Sequence, residues 1–443
     1  MNAPARGQQP RQTERSKHHL FVIRDKAELD HMLPLIDLLA ENGDSIVAWV
    51  GSDKALGDDQ KIDLLRNICQ VGDLDAQRVV KFIDRLLRHR SILVLLRGWV
   101  NRLIPLFSTE FRQFLRFNSV VVGWGGFGRE PLSLAKFLNI RSICVPHGFN
   151  IFKGTRITDT FEDFSNQLPN FSDRHNFSAF IVNNEHTRKF LVDCGMESHR
   201  ITTLGSLRFT ESWSRVLEAD LPQPPRVERE PHRKHIIFFL PNPNYRVNWK
   251  VLTQLTEALA VSSYRVTVVP HLRGDQDTNA SDFTSFIFGL ESSAFVVDRS
   301  TSLPETLVRN ADVVLFSGTS MGLLGLLQGK PTFHLDFVTR NETIFQDLPG
   351  SHIESLQDLV DRKGDLMANL QRVGEALNPS EVGNWWGRYV CDRGKAEKAW
   401  LELFSECGTT GPDPLARSAK SRLEWTRAAL NSKSNAPSAR EKG

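Results

Sequence analysis

Asp312-Val313-Val314-Leu315-Phe316-Ser317-Gly318-Thr319-Ser320-Met321-Gly322-Leu323-Leu324-Gly325-Leu326-Leu327 is the stretch from which the fold can be read. It opens on an apolar run, Val313 to Phe316, the pattern of a strand buried on both faces. Small hydroxylated residues interrupt the run, and apolar spacing then continues to the breaker Gly329-Lys330-Pro331. A strand, a small-residue turn and a helix follow one another, as in a βαβ unit. Backbone N–H groups at such a turn lack intrahelical partners and carry the partial positive charge of aligned peptide dipoles. The turn Ser317-Gly318-Thr319-Ser320 is thus prepared to hold a phosphate, or else Ser317 and Thr319 cap a helix that only packs.

The same alternation extends in both directions. Towards the N-terminus, strands are expected at 19–23, 45–50, 119–122, 142–145, 179–182 and 201–204, with helical patterns near 28–41, 131–138 and 185–194. The proline-rich, charged segment 221–234 breaks the pattern and reads as a linker. Strands resume at 235–240, 264–269, 294–297, 312–316 and 332–335, with a helix over 249–260. The fold class is α/β: two Rossmann-like, doubly wound parallel-sheet domains facing a cleft. The expected boundaries are a disordered arm over 1–17, a first domain over 18–220, the linker and a second domain over 235–378. Helices over 379–407 return to pack on the other domain, and a basic, largely disordered tail follows over 408–443.

Composition narrows the setting. A length of 443 residues supports two or three cores. A net charge of +3 makes no case for nucleic acid as a partner. The five cysteines are widely spaced, without a zinc pattern, which suits a reducing, cytoplasmic compartment and no structural metal. No apolar run reaches the roughly 18 residues that a membrane span needs. Segment 88–117 carries six arginines (Arg88, Arg90, Arg97, Arg102, Arg112, Arg116) against Glu110, interleaved with apolar residues. It reads either as a helix lying on an anionic membrane surface, which would make the protein peripheral on the inner face, or as a core helix with snorkelling arginine stems.

In doubly wound sheets ligands gather at the carboxyl ends of the strands, and the polar clusters of this chain fall there. His147-Gly148 follows the strand ending at Val145, and an imidazole at that position suits a general base. His271 and Arg273 follow the strand ending at Val269 and can contact a diphosphate. Gly123-Trp124-Gly125-Gly126-Phe127-Gly128 matches a dinucleotide fingerprint in form. No acidic residue closes the next strand, so Gly125 and Gly126 read instead as a loop that lets substrate approach the backbone. Arg208, in Gly205-Ser206-Leu207-Arg208-Phe209, is placed near the hinge and cleft, or on the surface. Asp298 and Asp336 are the strand-end carboxylates.

Taken in order, His147-Gly148, Asn183-Asn184-Glu185 through Phe209, His271 and Ser317 to Ser320 before Gly329-Lys330-Pro331 resemble a GT-B-fold transferase of bacterial surface-polysaccharide synthesis. The style is nearest to the CDP-glycerol glycerophosphotransferases and capsule-polysaccharide transferases. The resemblance implies a nucleotide-activated donor held by His271, Arg273, Ser317, Gly318, Thr319 and Ser320. It implies His147 as the base that deprotonates a glycan or lipid-linked acceptor, with Gly125, Gly126, Gly148 and Arg208 lining the cleft, and neither metal nor cofactor. Two departures stand out: Leu324 occupies the place where many such sites carry a ribose-binding glutamate, and Pro146 and Phe149 flank His147-Gly148 instead of Trp and Thr. The rival expectations are a nucleotide-sugar 2-epimerase on the same framework and a non-catalytic binding protein.

Overall fold

The computed structural model describes residues 16–51, 56, 59–74, 77, 113–124, 131–146, 148–153, 177–220, 234–243, 245, 247–260, 264–271, 280–291, 295–298, 303–339, 341–359, 370, 377–392 and 394–406. Among these, thirteen strands form two wholly parallel sheets. The first holds β1 (His18–Ile23), β2 (Ser45–Val50), β3 (Gln70–Asp73), β4 (Ser119–Gly123), β5 (Arg141–Val145), β6 (Ala179–Val182) and β7 (Ile201–Thr203). The second holds β8 (His235–Phe239), β9 (Arg265–Val269), β10 (Val296–Val297), β11 (Val313–Phe316), β12 (Thr332–Leu335) and β13 (His352–Ile353).

The spatial orders, β3-β2-β1-β4-β5-β6-β7 and β10-β9-β8-β11-β12-β13, share one topology. In each sheet the chain starts at the centre, winds to one edge, then returns to the centre and winds to the other. The order therefore reverses between β1 and β4 and between β8 and β11, and a crevice opens outside the strand tips at each reversal. The central strands are apolar on both faces because helices cover both: Val120, Val121 and Val122 are at most 1% exposed, and β11 is wholly buried.

Among the described residues the helices are α1 (Lys26–Glu41), α2 (Gln60–Ile68), α3 (Leu132–Phe137), α4 (Glu185–Asp193), α5 (Glu211–Asp220), α6 (Trp249–Ala260), α7 (Ala280–Glu291), α8 (Pro304–Arg309), α9 (Gly322–Leu327), α10 (Leu356–Leu359), α11 (Pro379–Tyr389) and α12 (Ala396–Ser405). Local chemistry fixes several starts. Asp25, Asp59 and Asn184 each accept a first-turn N–H of α1, α2 and α4. The Asp25 cap starts α1 two residues earlier than the apolar spacing alone suggests. Pro304 and Pro379 open α8 and α11, where a missing N–H costs nothing.

Two apolar clusters each lie within one sheet and its helices. A third runs through both halves of the molecule, joining α1, the 3-10 turn Leu207–Phe209, α9 and the C-terminal helices. Helices α11 and α12 are part of this joint. Asn184 donates to the Tyr389 carbonyl at 3.0 Å, Trp400 to the Gly205 carbonyl at 3.3 Å, and the Ser206 N–H to the Val390 carbonyl at 2.9 Å. Trp385 reaches the other half, donating to the Ile344 carbonyl at 2.8 Å. The arm over 1–15, segment 78–112, the linker over 221–233 and the tail over 407–443 lie outside the described residues. Among those described, no helix is long and apolar enough to cross a membrane.

Candidate functional site

The strand tips of the two sheets meet. The loop after β5 crosses to the loop after β12: Ile344 N–H donates to the Ile151 carbonyl at 2.8 Å, and Lys153 N–H to the Glu342 carbonyl at 2.9 Å. The Phe152 ring packs edge-on against Tyr245, from the loop after β8, with centroids 5.0 Å apart. Lys153 closes the contact on Asp347 at 2.5 Å. His147 is outside the described residues, but Gly148 to Lys153 after it are held within this contact, with the Gly148 carbonyl taking a 3.3 Å bond from Asn183.

On the second sheet the turn after β11 is shaped from within. Gly318 has φ +58°, a left-handed conformation that L side chains rarely adopt. A β-carbon there would also lie 3.1 Å from the Tyr245 ring and 3.3 Å from Pro241. Ser317 is fully buried and donates its hydroxyl to the Leu335 carbonyl at 3.1 Å, so that hydroxyl braces β11 against β12. Gly318 N–H donates to His334 Nε2 at 3.4 Å, and Thr319 Oγ1 accepts from Met321 N–H at 3.4 Å. The N–H groups of Thr319, Ser320 and Gly322 have no acceptor among the described residues, and successive free donors in a turn are suited to anions. Leu324 is 2% exposed and faces the core, so α9 offers no carboxylate at that place.

On the first sheet the crevice beside β1 and β4 holds a carboxylate that the strand-end survey of the sequence did not find. Glu28 is fully buried; it accepts from Arg24 N–H at 2.8 Å and from Arg24 Nε at 3.1 Å, with a further contact to Nη2. Burial pushes its carboxyl above the usual range, and Arg24 opposes but does not cancel this. Gly123, the last residue of β4, is a glycine because the Glu28 carboxylate occupies the space of a side chain.

Between the two sheets lies a buried group of four charges. Asp30 on α1 binds Lys61 of α2 at 2.6 Å and Arg208 at 3.0 Å, and Lys61 is 3.6 Å from Glu305 of α8. All four are at most 9% exposed. Burial opposes the Asp30 charge, yet Arg208 and Lys61 outweigh it and hold the carboxyl well below the usual range. Burial likewise opposes the Lys61 charge, and Asp30 with Glu305 raises its pKa instead. Arg208 also donates towards Met321 Sδ, at 3.8 Å, immediately before α9. The cluster ties both domains together at the rim of the crevice.

Of the residues marked in the sequence, Ser317, Gly318, Thr319 and Ser320 form one turn, and Arg208 lies next to it through Met321. Gly148 stands on the opposing loop. His271 lies two residues after β9, with β8 between it and the reversal point, and is half-buried. His147, Arg273, Gly125 and Gly126 lie outside the described residues, as does most of the basic segment 88–117. Arg24, Glu28, Asp30, Lys61, Glu305 and His334 were not marked. For Arg24 and Glu28 a signal existed: a charged pair four apart directly after a buried strand, with an N-cap aspartate between them.

Two cavities, of about 430 and 260 Å³, flank α5 at the far end of α9, beyond Leu327. Neither touches the strand tips.

No family model matches the chain, and no curated protein matches it in sequence. Solved structures match it in fold over nearly their whole length. The UDP-GlcNAc 2-epimerase of Methanocaldococcus jannaschii, solved with UDP-GlcNAc and UDP, gives a TM-score of 0.53 at 13% identity and covers 88% of this chain and 99% of its own. A glycosyltransferase from Rickettsia africae gives 0.51 at 10% identity, covering 90% and 100%. The UDP-GlcNAc 2-epimerase of Neisseria meningitidis bound to UDP-GlcNAc gives 0.50 at 14%, covering 88% and 100%. The likeness establishes the GT-B fold.

Proposed function

We propose that this chain is a transferase that moves a sugar or polyol-phosphate from a nucleotide-activated donor to a surface-glycan or lipid-linked acceptor. The observation that carries the reading is the meeting of two strand-tip crevices, one of which presents the unpaired N–H groups of Thr319, Ser320 and Gly322. These donors would face the diphosphate, where negative charge grows as the donor bond breaks. Ser317 and Gly318 shape the turn, and His271 and Arg273 are the side chains assigned to the rest of the donor. His147 is assigned as the base that takes the acceptor proton, and Gly125, Gly126 and Gly148 are assigned to the cleft.

The test is the His147→Ala variant. Turnover is expected to fall at least about a hundredfold while nucleoside-diphosphate affinity stays near wild type. Wild-type turnover in that variant removes the base assignment.

A second reading, a nucleotide-sugar 2-epimerase, gains from one observation. Glu28 is a buried carboxylate with a raised pKa at the first crevice, and proton shuttling needs such a group. Incubation with a UDP-sugar in the absence of acceptor separates the two readings: an epimerised sugar nucleotide selects the second, and an unchanged one removes it.

A further inference from the structure

We propose that His334 is a positioning residue for the donor turn: as the Nδ1–H tautomer, it accepts the Gly318 N–H and fixes the direction in which the following N–H groups point. The proposal rests on the reading of that turn as the diphosphate site.

His334 lies on β12 and is fully buried, between the Phe316 ring, edge-on at 5.1 Å, and the Phe345 ring, stacked at 5.7 Å. Its two nitrogens have different partners. Nδ1 lies 2.6 Å from Asp336 Oδ1, and Nε2 receives the Gly318 N–H. An amide can only donate, so Nε2 must be bare, and the ring proton sits on Nδ1 and goes to Asp336. Asp336 also accepts from His352 Nδ1 at 3.0 Å and from Gln346 at 3.2 Å, so its carboxylate is fixed from three sides. Burial opposes its charge, yet the two histidine bonds outweigh that and keep it ionised. The result is a chain running from Asp336 through His334 to Gly318 N–H. Without the acceptor at Nε2, the Gly318 amide is a buried donor with no partner, and the peptide reorients to find one. Thr319 and Ser320 follow directly, so their N–H groups turn with it.

The test uses the full chain, UDP, CDP and GDP as probes, and two variants. In His334→Gln a side-chain oxygen takes the place of Nε2. His334→Asn keeps a donor for Asp336 but ends short of Gly318. Calorimetric titration is expected to show His334→Gln binding the best probe within about threefold of wild type and His334→Asn about tenfold weaker. Nitrogen-15 spectra of imidazole-labelled wild type are expected to show His334 protonated at Nδ1. An Nε2–H tautomer, or an Asn variant that binds as tightly as wild type, overturns the role while binding by the wild type keeps the donor reading. A wild type that binds none of the three probes overturns the donor reading and the role with it.

Discussion

Gly318 combines φ +58° with close neighbours on Tyr245 and Pro241, and both bear on what a methyl group would do there. Gly318→Ala is expected to destabilise the chain by about 1–2 kcal/mol, the cost of a left-handed L residue, read as a lowered urea midpoint; an unchanged midpoint contradicts the turn geometry. His352 and Asp336 supply a pH signature. The Asp336 contribution is complete above the unfolded carboxyl value of about 3.9 and fades as pH falls through the lowered folded value. The hydrogen bond to Asp336, against burial, raises His352, so its contribution is complete below about 6.5 and fades as pH climbs through the raised folded value. The pair is strongest between about pH 4 and 6.5. His352→Gln is expected to lose about 0.5–1 kcal/mol in that window and to approach wild type at alkaline pH, measured by urea unfolding across pH. At this scale the sequence showed Gly318 and its hydroxylated neighbours because small residues between a strand and a helix have few other uses. His334 was hidden because the Gly318 amide that it accepts follows a different strand, and a lone histidine inside a strand looks like any other core residue.

Every interior strand was legible, whereas of the four edge strands β7 and β10 were expected and β3 and β13 were not, for one physical reason. A strand covered on both faces must be apolar throughout, as in β4 and β11, whereas an edge strand is closed on one side only. Gln70–Asp73 and His352–Ile353 are short and partly polar, so β3 and β13 carry no apolar run, and β10 is two residues rather than four. The helix faces misled in a similar way. Asp30, Lys61 and Glu305 look like solvated charges on amphipathic helices; only the packing of α1, α2 and α8 against one another buries them. Asp30→Ala removes the carboxylate that Lys61 and Arg208 share and leaves Glu305, 3.6 Å from Lys61, as the remaining carboxylate of the cluster. It is expected to cost about 3–5 kcal/mol, measured by chemical unfolding. A loss of less than about 1 kcal/mol, the worth of an exposed pair, contradicts the buried cluster.

The molecule as a whole is two copies of one topology joined by a continuous apolar core, with α11 and α12 lying across the joint. Trp400 is 4% exposed, and its ring nitrogen reaches the Gly205 carbonyl. Trp400→Ala is therefore expected to lose about 3–5 kcal/mol and to raise the rate of proteolysis in both halves together; cleavage confined to the C-terminal helices contradicts a shared core. The two-domain plan was readable because its alternation restarts after a proline-rich break, but how the halves face each other depends on contacts such as Phe152 with Tyr245 that no local pattern encodes. The central claim, that the facing strand tips hold a nucleoside diphosphate on the turn after β11, is tested most directly by amide hydrogen exchange with and without saturating UDP or CDP. Slowed exchange at Thr319, Ser320 and Gly322 is predicted; a bound nucleotide that leaves these three amides unchanged contradicts the account.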